Sequence, residues 1–339
     1  MKVMTIGDTH IWTYPKFGLN SNGYPRRLND IEKGLNKISE IIRHEGVEWV
    51  VFLGDVFEHR DHVDTLSLCV FLRFIQSLPK ECKVFVLKGN HDSFSKFEGE
   101  SWIHYFPEIT PMSYITEDTW NLEHRFEDFY LFGIPYSDSV ETVQKNIDNI
   151  VSRIDELDIQ KSLTVAHIGI SEVASLYGYQ DSKTFPQKEL SKIRGYIRLG
   201  HYHDRTELDK SMMYVGTPWQ TTFGELNQAR GVDIYDTEID KWSFYQIDIP
   251  SLITCDAEDF ETRKATYPDG YFRVVGSPDE VSDESIISFK IDLANDQEIS
   301  LDKDKDDFQI TKDYIDGLEG VDEKIRKGML LKAKEIIGQ

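Results

Sequence analysis

Five short stretches of this 339-residue chain carry side chains that could hold metal ions. They are Asp8-Thr9-His10, Gly54-Asp55, Gly89-Asn90-His91-Asp92, His167, and Gly200-His201-Tyr202-His203. The donors are carboxylate, amide oxygen and imidazole, with no thiolate. Such a set suits manganese, iron or a similar divalent ion better than a structural zinc. Asp-x-His, Gly-Asp or a lone histidine has little specificity alone. Asn, His and Asp crowded together in GNHD have little structural reason to be there. In GHYH, alternate residues of an extended segment point the same way, so both histidines can face one site.

Each stretch follows an apolar run that reads as a buried strand. The runs are KVMTI (2–6), VEWVVFLGD, VFVLKGNHD, SLTVAHIGI (162–170) and GYIRLGHYHD (195–204). Continuous apolar character suits strands covered on both faces. In open α/β sheets the carboxyl ends of such strands form the rim where ligands bind, so five loaded rims can converge on one pocket. Between the first two runs, Leu28, Ile31, Leu35, Ile38, Ile41 and Ile42 recur at helical spacing, with Gly46 as the stop. A second helix is expected from Thr65 to Leu78. Further strands are expected at 129–136 and 211–217, and a hairpin within 232–249.

Beyond Pro250 the pattern changes. YFRVV and SIISFKI read as short strands of a small α+β cap. LDKDKDD (301–307) is an acidic linker. After it, Ile310, Tyr314 and Leu318 form one helical stripe, and Ile325, Met329, Ala333, Ile336 and Ile337 another. The expected organisation is 1–249, 250–300, the linker, and a helical pair at 308–339. So short a pair buries too little surface to stand alone, and its apolar face must dock on something.

With 60 acidic against 38 basic residues and a net charge of -22, the chain is no general polyanion binder. Contact with nucleic acid would need a local basic patch, metal ions or a partner. Three cysteines, Cys69, Cys82 and Cys255, show no CxxC spacing, which argues for a reducing compartment. The start lacks the apolar run of a signal peptide, and no stretch is apolar enough for a membrane helix. The expected location is the cytoplasm of a bacterium or phage-infected cell.

D-x-H, G-D, G-N-H-D, a strand-end His and G-H-x-H, in this order, resemble the calcineurin-like metallophosphoesterase superfamily over about residues 1–245. The chain further resembles SbcD-type recombination and repair nuclease subunits, including short phage versions that work with an SMC-like ATPase. YVGTPWQTTFGE (214–225) is similar to the segment that follows the last metal motif there. So are the early first motif and the terminal helical pair.

The resemblance implies an α/β metallophosphoesterase sandwich flanked by helices, and two divalent ions, manganese or else magnesium. Asp8, His10 and His203 would hold one ion, Asn90, His167 and His201 the other, with Asp55 bridging. His91 would be the catalytic proton donor. Asp92 would orient His91 or a ligating histidine. The implied activity is endonuclease and 3′→5′ exonuclease cleavage of DNA. The implied partners are DNA and an SMC-like ABC-type ATPase gripped through Ile325, Met329, Ala333 and Ile336, in a heterotetramer built on a homodimer. Two hydrolysing cations about 3.5–4 Å apart would activate water and clamp the phosphate.

The alternatives are another enzyme on this fold, a phosphoprotein phosphatase or cyclic-nucleotide phosphodiesterase, or a scaffold that has lost catalysis. VFEHR after Asp55, and Asp92 after GNH, depart from the phosphatase pattern. Where some members carry a substrate-contacting histidine, this chain has Glu58 followed by His59. In the first loop, Trp12, Tyr14 and Phe17 could stack on unpaired bases or close over a core. Arg26 and Arg27 could meet phosphates or belong to a solvated helix start.

Overall fold

The computed structural model describes residues 1–93, 101–103, 112–115, 124–176, 184–226, 228–276, 281–290, 315 and 326–330. Two compact units are present, Met1–Lys290 and Ile291–Gln339.

Among the described residues, the first unit contains two six-stranded sheets. One comprises β1 (Lys2–Ile6), β2 (Trp49–Phe52), β3 (Lys83–Leu87), β4 (Met112–Ile115), β11 (Gly231–Asp236) and β12 (Lys241–Gln246), in the order β12-β11-β1-β2-β3-β4. The other comprises β5 (His124–Phe126), β6 (Phe129–Ile134), β7 (Lys161–His167), β8 (Tyr196–Gly200), β9 (Thr206–Glu207) and β10 (Met212–Tyr214), in the order β5-β6-β7-β8-β10-β9. The strands that lead into the metal-capable motifs run parallel: β1 to β2, β2 to β3, and β7 to β8.

Strand alternation explains the continuous apolar runs. Val3, Trp49, Val51, Phe85 and Leu87 face Leu131, Leu163 and Val165 of the other sheet in one shared core. Their neighbours Met4, Val50, Phe52, Val84 and Val86 face outward onto α1 (Arg26–Glu45) and α2 (Thr65–Ser77), meeting Leu28, Ile31, Leu35, Val70 and Phe74. Phe132, Ile134, Ala166, Ile197 and Leu199 face outward on the other side, onto α3 (Val140–Glu156). Helices therefore cover both outer faces of a sandwich. Every central strand is buried twice, which is why its sequence does not alternate.

Helix α1 stops at Gly46, whose φ of 67° places it in the left-handed region and whose N–H reaches the Ile42 carbonyl. Helix α3 is absent from the expectations above, although Val143, Ile147, Ile150 and Ile154 carry helical spacing and Ser139 caps the first turn. The expected strand at 211–217 is only Met212–Tyr214. It breaks because Thr217 N donates to the His203 carbonyl (3.0 Å), turning the chain back towards GHYH.

A third sheet, β13 (Leu252–Asp256), β14 (Tyr271–Val275) and β15 (Ile286–Lys290), carries its own small core around Phe260 and Phe272. It is tied to α1 by Tyr271 Oη donating to Asp30 Oδ2 (2.7 Å). Arg27 is buried, donating to the carbonyls of Pro250 (2.6 Å) and Gln220. It is a structural clamp. Tyr14 and Phe17 are also core residues, so the first loop closes over a core there, while Trp12 stays half-buried.

Trp219 links this frame to the first motif. It is fully buried, its Nε1 donates to the Thr9 carbonyl (2.9 Å), and its ring lies so close to Gly34 of α1 that a Cβ there would be 3.0 Å from Cζ3. Trp219→Ala is expected to cost about 3–5 kcal/mol, as for other buried aromatics cut to alanine. Denaturant unfolding would read this as a lower midpoint at unchanged slope. A midpoint within error of wild type would refute the packing role.

Candidate metal centre

The motifs meet because parallel strands of both sheets end at the same rim. Asp8 and His10 follow β1, Asp55 follows β2, and Asn90 and His91 follow β3. His167 ends β7, and His201 follows β8, with His167 opposite Gly200 across the ladder. Pairing continues past the strands, since Leu53 N donates to the Ile6 carbonyl (2.9 Å) and His10 N to the Asp55 carbonyl (3.0 Å).

The backbone here is strained. His10, Asp55 and His201 have φ of 43°, 50° and 98°, a region that costs a non-glycine residue on the order of 1–3 kcal/mol. Gly54 and Gly89 make the close approach possible. A Cβ on Gly54 would lie 2.4 Å from His167 Nδ1, and one on Gly89 would lie 2.2 Å from Asp55 Oδ1.

All seven expected ligands and His91 lie in this one region, in two donor groups. In the first, Asp8, His10 and His203 bring ligand atoms within 4.8 Å of one another. The Nε2 atoms of His10 and His203 approach to 3.1 Å. Their Nδ1 atoms face carboxylates, Glu58 Oε2 at 2.9 Å and Glu225 Oε1 at 3.0 Å. With each Nδ1 turned to a carboxylate, the two rings present Nε2 to one another, a pair of donor atoms that a shared cation would satisfy in place of protons. Asp8 Oδ2 is buried without a hydrogen-bond partner, which also marks it as a free ligand atom.

In the second group, Asn90 Oδ1 lies 3.0 Å from both His167 Nε2 and His201 Nδ1. His167 Nδ1 donates to the Leu53 carbonyl (2.7 Å), which leaves Nε2 as a lone pair. That Nε2 is 3.4 Å from Asp55 Oδ2, and the same carboxylate oxygen is 3.8 Å from His10 Nε2. Asp55 therefore stands between the groups. His201 leaves β8 with left-handed backbone, so the extended alternation expected for GHYH is lost. His201 turns to Asn90 and His203 to His10.

The electrostatics favour positive charge. Burial disfavours the imidazolium of His10, but Glu58, Asp55 and Asp8 overcome it and lift the ring to about 9. Burial likewise opposes charging His167, and Asp55 and Asp8 lift it to about 9. Burial and the neighbouring His167 push His201 down to about 4. A pocket that stabilises protons so strongly will stabilise a divalent cation too. Donor types, tautomers and field all fit divalent metal ions.

His91 is half-buried, edge-on to His10 at 4.9 Å between centroids. Its backbone N donates to Asp55 Oδ1 (2.7 Å) and its Nδ1 donates to the Glu58 carbonyl. Asp92 departs from the expected histidine-orienting role. Its carboxylate accepts from the backbone N of Asp55 (2.7 Å), Gly89 (2.8 Å) and Val56 (3.2 Å), and from Trp102 Nε1 (3.1 Å). A short side chain pointing back into its own turn meets amides before any imidazole. Asp92 thus holds Asp55 in place through the backbone. Burial and the nearby Asp55 push its carboxyl up to about 6.

Glu58 and Glu225 are functional positions that motif reading missed. Glu225 accepts from Thr221 N (3.1 Å) and Thr222 N (3.1 Å) and pairs with Arg230 (3.2 Å), so its carboxylate is fixed against His203. The only signal was its place at the end of the 214–225 segment. Glu225→Gln is expected to lower metal affinity about 10–100-fold, as for other carboxylates behind ligating histidines. Metal titration of the purified variant would measure it. Unchanged affinity would show that His203 needs no such support.

Among the tail residues, Ile325, Ala333 and Ile336 lie outside the described residues. Met329 is half-buried within helical residues 326–330 of the second unit. The acidic linker also lies outside the described residues. No helix among the described residues is long and apolar enough to cross a membrane.

The family described as Calcineurin-like phosphoesterase matches residues 1–205. Exonuclease subunit 1 of Enterobacteria phage T4 is 21% identical over 255 residues, covering 72% of this chain and 67% of that protein. The SbcD protein of the nuclease SbcCD of Staphylococcus epidermidis is 22% identical over 262 residues, covering 70% and 66% respectively. Among solved structures, an archaeal phosphodiesterase aligns at a TM-score of 0.36 and 16% identity, over 73% of this chain and 99% of that one. The nuclease MPE of Pseudomonas putida aligns at 0.30 and 16%, over 69% and 83%. With the match spanning more than half of its length and the donor groups gathered where that match lies, the chain belongs to the calcineurin-like phosphoesterase family and is a metal-dependent hydrolase of phosphodiester bonds.

Proposed function

We propose that this chain is the nuclease subunit of an ATPase–nuclease complex that processes DNA in recombination and repair, with endonuclease and 3′→5′ exonuclease activity. The observation that carries the reading is the pair of donor clusters Asp8/His10/His203 and Asp8/Asp55/His167, which share Asp8 and have the Asp55 carboxylate between His10 and His167, with His91 at their edge. In this reading Asp8, His10 and His203 would hold one ion, Asn90, His167 and His201 would hold the other, and Asp55 would serve both. Manganese is the ion of choice for this mixed oxygen and nitrogen set, with magnesium second. When bound, two such ions supply Lewis acidity towards the phosphate and a water of lowered pKa.

The chain's own residues do the rest. Glu58 and Glu225 face the Nδ1 sides of His10 and His203, which turns Nε2 of each ring towards the site. Asp92 fixes the Asp55 turn. His91, with its Nδ1–H tied to the Glu58 carbonyl, would deliver a proton from Nε2 to the leaving oxygen as the imidazolium, leaving the neutral ring, and burial, which lowers its pKa, makes that imidazolium a stronger acid.

The relatives named as exonuclease and SbcCD nuclease subunits favour DNA over small phosphodiesters, and a subunit role over an independent enzyme. The reading divides the chain into a nuclease domain (1–249), a cap (250–300), the acidic linker (301–307) and an ATPase-binding helical pair (308–339). That pair would present Ile325, Met329, Ala333 and Ile336 to the coiled coil of an SMC-like ABC-type ATPase, helix in groove. Two nuclease chains would pair within a heterotetramer. The setting is the cytoplasm, where DNA and ATP are both at hand.

The deciding experiment is digestion of end-labelled single- and double-stranded DNA with manganese, with and without the ATPase. Shortened labelled products that vanish with chelator support the reading. Cleavage of a generic phosphodiester with DNA left intact would overturn it, and so would hydrolysis of phosphomonoesters alone.

A further inference from the structure

We propose that His59, Asp61 and His62 form an auxiliary transition-metal site, separate from the two donor groups at the strand ends. A ring nitrogen from each histidine and a carboxylate oxygen of Asp61 lie within 4.8 Å of one another. The two imidazoles now stack, with centroids 4.6 Å apart and planes 15° from parallel, so the exposed His62 ring must swing out of the stack to aim its in-plane lone pair at an ion that His59 also holds. His62 Nδ1 is 2.9 Å from Asp61 Oδ1. A second observation also points to a ligand. His59 Nε2 is buried and has no hydrogen-bond partner, a state that buried polar atoms rarely keep.

The local chain explains why these residues converge. Upstream, Ile11 bridges to Phe57 and its N–H reaches the Val56 carbonyl (2.8 Å). Downstream, Asp64 caps α2 by accepting from Ser67 N (3.0 Å). The six residues between these anchors, 58–63, hold positions 59, 61 and 62 within one short connection. Trp12 packs edge-on against His59, with centroids 4.4 Å apart, and holds that ring in place.

Two imidazoles and one carboxylate without thiolate suit a zinc-class ion of borderline softness, and suit calcium or magnesium poorly. Bonds of about 2.0–2.2 Å put two ligands of one ion at most ~4.4 Å apart. The present spread closes by side-chain rotation, for which Asp61 and His62 are exposed. Three protein ligands would leave an outer position open to water or an anion. The ion would also tether the loop that carries Glu58, whose carboxylate meets His10 and whose carbonyl meets His91. The competing account is an ordinary surface ion pair beside a ring stack, which would bind nothing.

The test uses the untagged full chain, dialysed against zinc alone and analysed for metal per chain. His59→Phe with His62→Phe keeps the stacked rings and removes the nitrogens. Asp61→Asn removes the carboxylate charge from an exposed position. The expected result is one bound zinc fewer in the double variant than in wild type, and weakened retention of that same ion in Asp61→Asn. Circular dichroism and melting should be unchanged. Asp55→Asn should remove zinc independently, so that its loss adds to that of the double variant. Equal zinc in wild type and double variant overturns the site. Should the phenylalanine pair disturb folding, Asp61→Asn decides, and unchanged zinc retention there overturns it equally. Loss of the extra ion with Asp55→Asn alone would assign it to the strand-end centre instead.

Discussion

Asp55→Ala is expected to strip metal from both donor groups and to abolish phosphodiester cleavage, a larger effect than replacing any single histidine. The Asp55 carboxylate is buried between the groups, with Oδ2 3.4 Å from His167 Nε2 and 3.8 Å from His10 Nε2. A single anion placed there serves two cations and offsets their mutual repulsion, whereas each histidine serves one. Burial works against its ionisation, yet His167, His10 and His91 hold it well below the usual carboxylate range, so it stands ready as an anion. Loss of a residue behind a ligand costs about 10–100-fold in metal affinity, and loss of the shared ligand should exceed that. Asp55→Asn keeps the shape and removes the charge, so agreement between the two variants would assign the effect to charge. Elemental analysis of dialysed protein is the measurement. Two ions still tightly held in Asp55→Ala would sink the bridging role.

The second large effect is at His91. His91→Ala should keep its metal and lose about 10²–10⁴-fold in cleavage rate, the usual worth of a positioned general acid. The side chain sits edge-on to His10 and is steered by the Glu58 carbonyl, while its backbone N–H, which alanine keeps, holds Asp55 Oδ1. That division predicts a split between readouts, with occupancy preserved and turnover lost. An aryl leaving group that needs no protonation should recover much of the rate. If metal content in His91→Ala fell to the Asp55→Ala level, His91 would be a ligand and the proton-donor assignment wrong.

These two roles show how differently the parts of the site could be read from the chain. The ligand types were legible because each lies within a few residues of a strand end, and a buried parallel strand announces itself as an unbroken apolar run, as WVVF and KVFVL do. Helix α1 was legible from its spacing and its Gly46 stop. Helix α3 carried equal periodicity in Val143, Ile147, Ile150 and Ile154, but no chemistry-bearing motif drew attention to it. Glu225 and Glu58 were not legible as histidine partners. A carboxylate behind a ring nitrogen has no sequence spacing of its own: Glu225 is 22 residues from His203, and Glu58 is 48 from His10.

From residue order alone came the donor chemistry, the buried parallel strands that carry it and the family resemblance, since all three are local properties of short segments. The tertiary structure decided which donors meet. Asp8 and His203 share a group because two sheets close face to face and their strand ends reach one rim. GHYH was expected to reach the site by extended alternation, but left-handed backbone at His201 replaces that alternation, turning His201 to Asn90 and His203 to His10. Asp92 was expected to steer a histidine and instead clamps the Asp55 and Gly89 amides. Arg27 was a candidate for phosphate contact and is buried against the carbonyls of Gln220 and Pro250. In each case the residue type offered several partners, and burial selected the one that left no amide, carbonyl or charge unsatisfied.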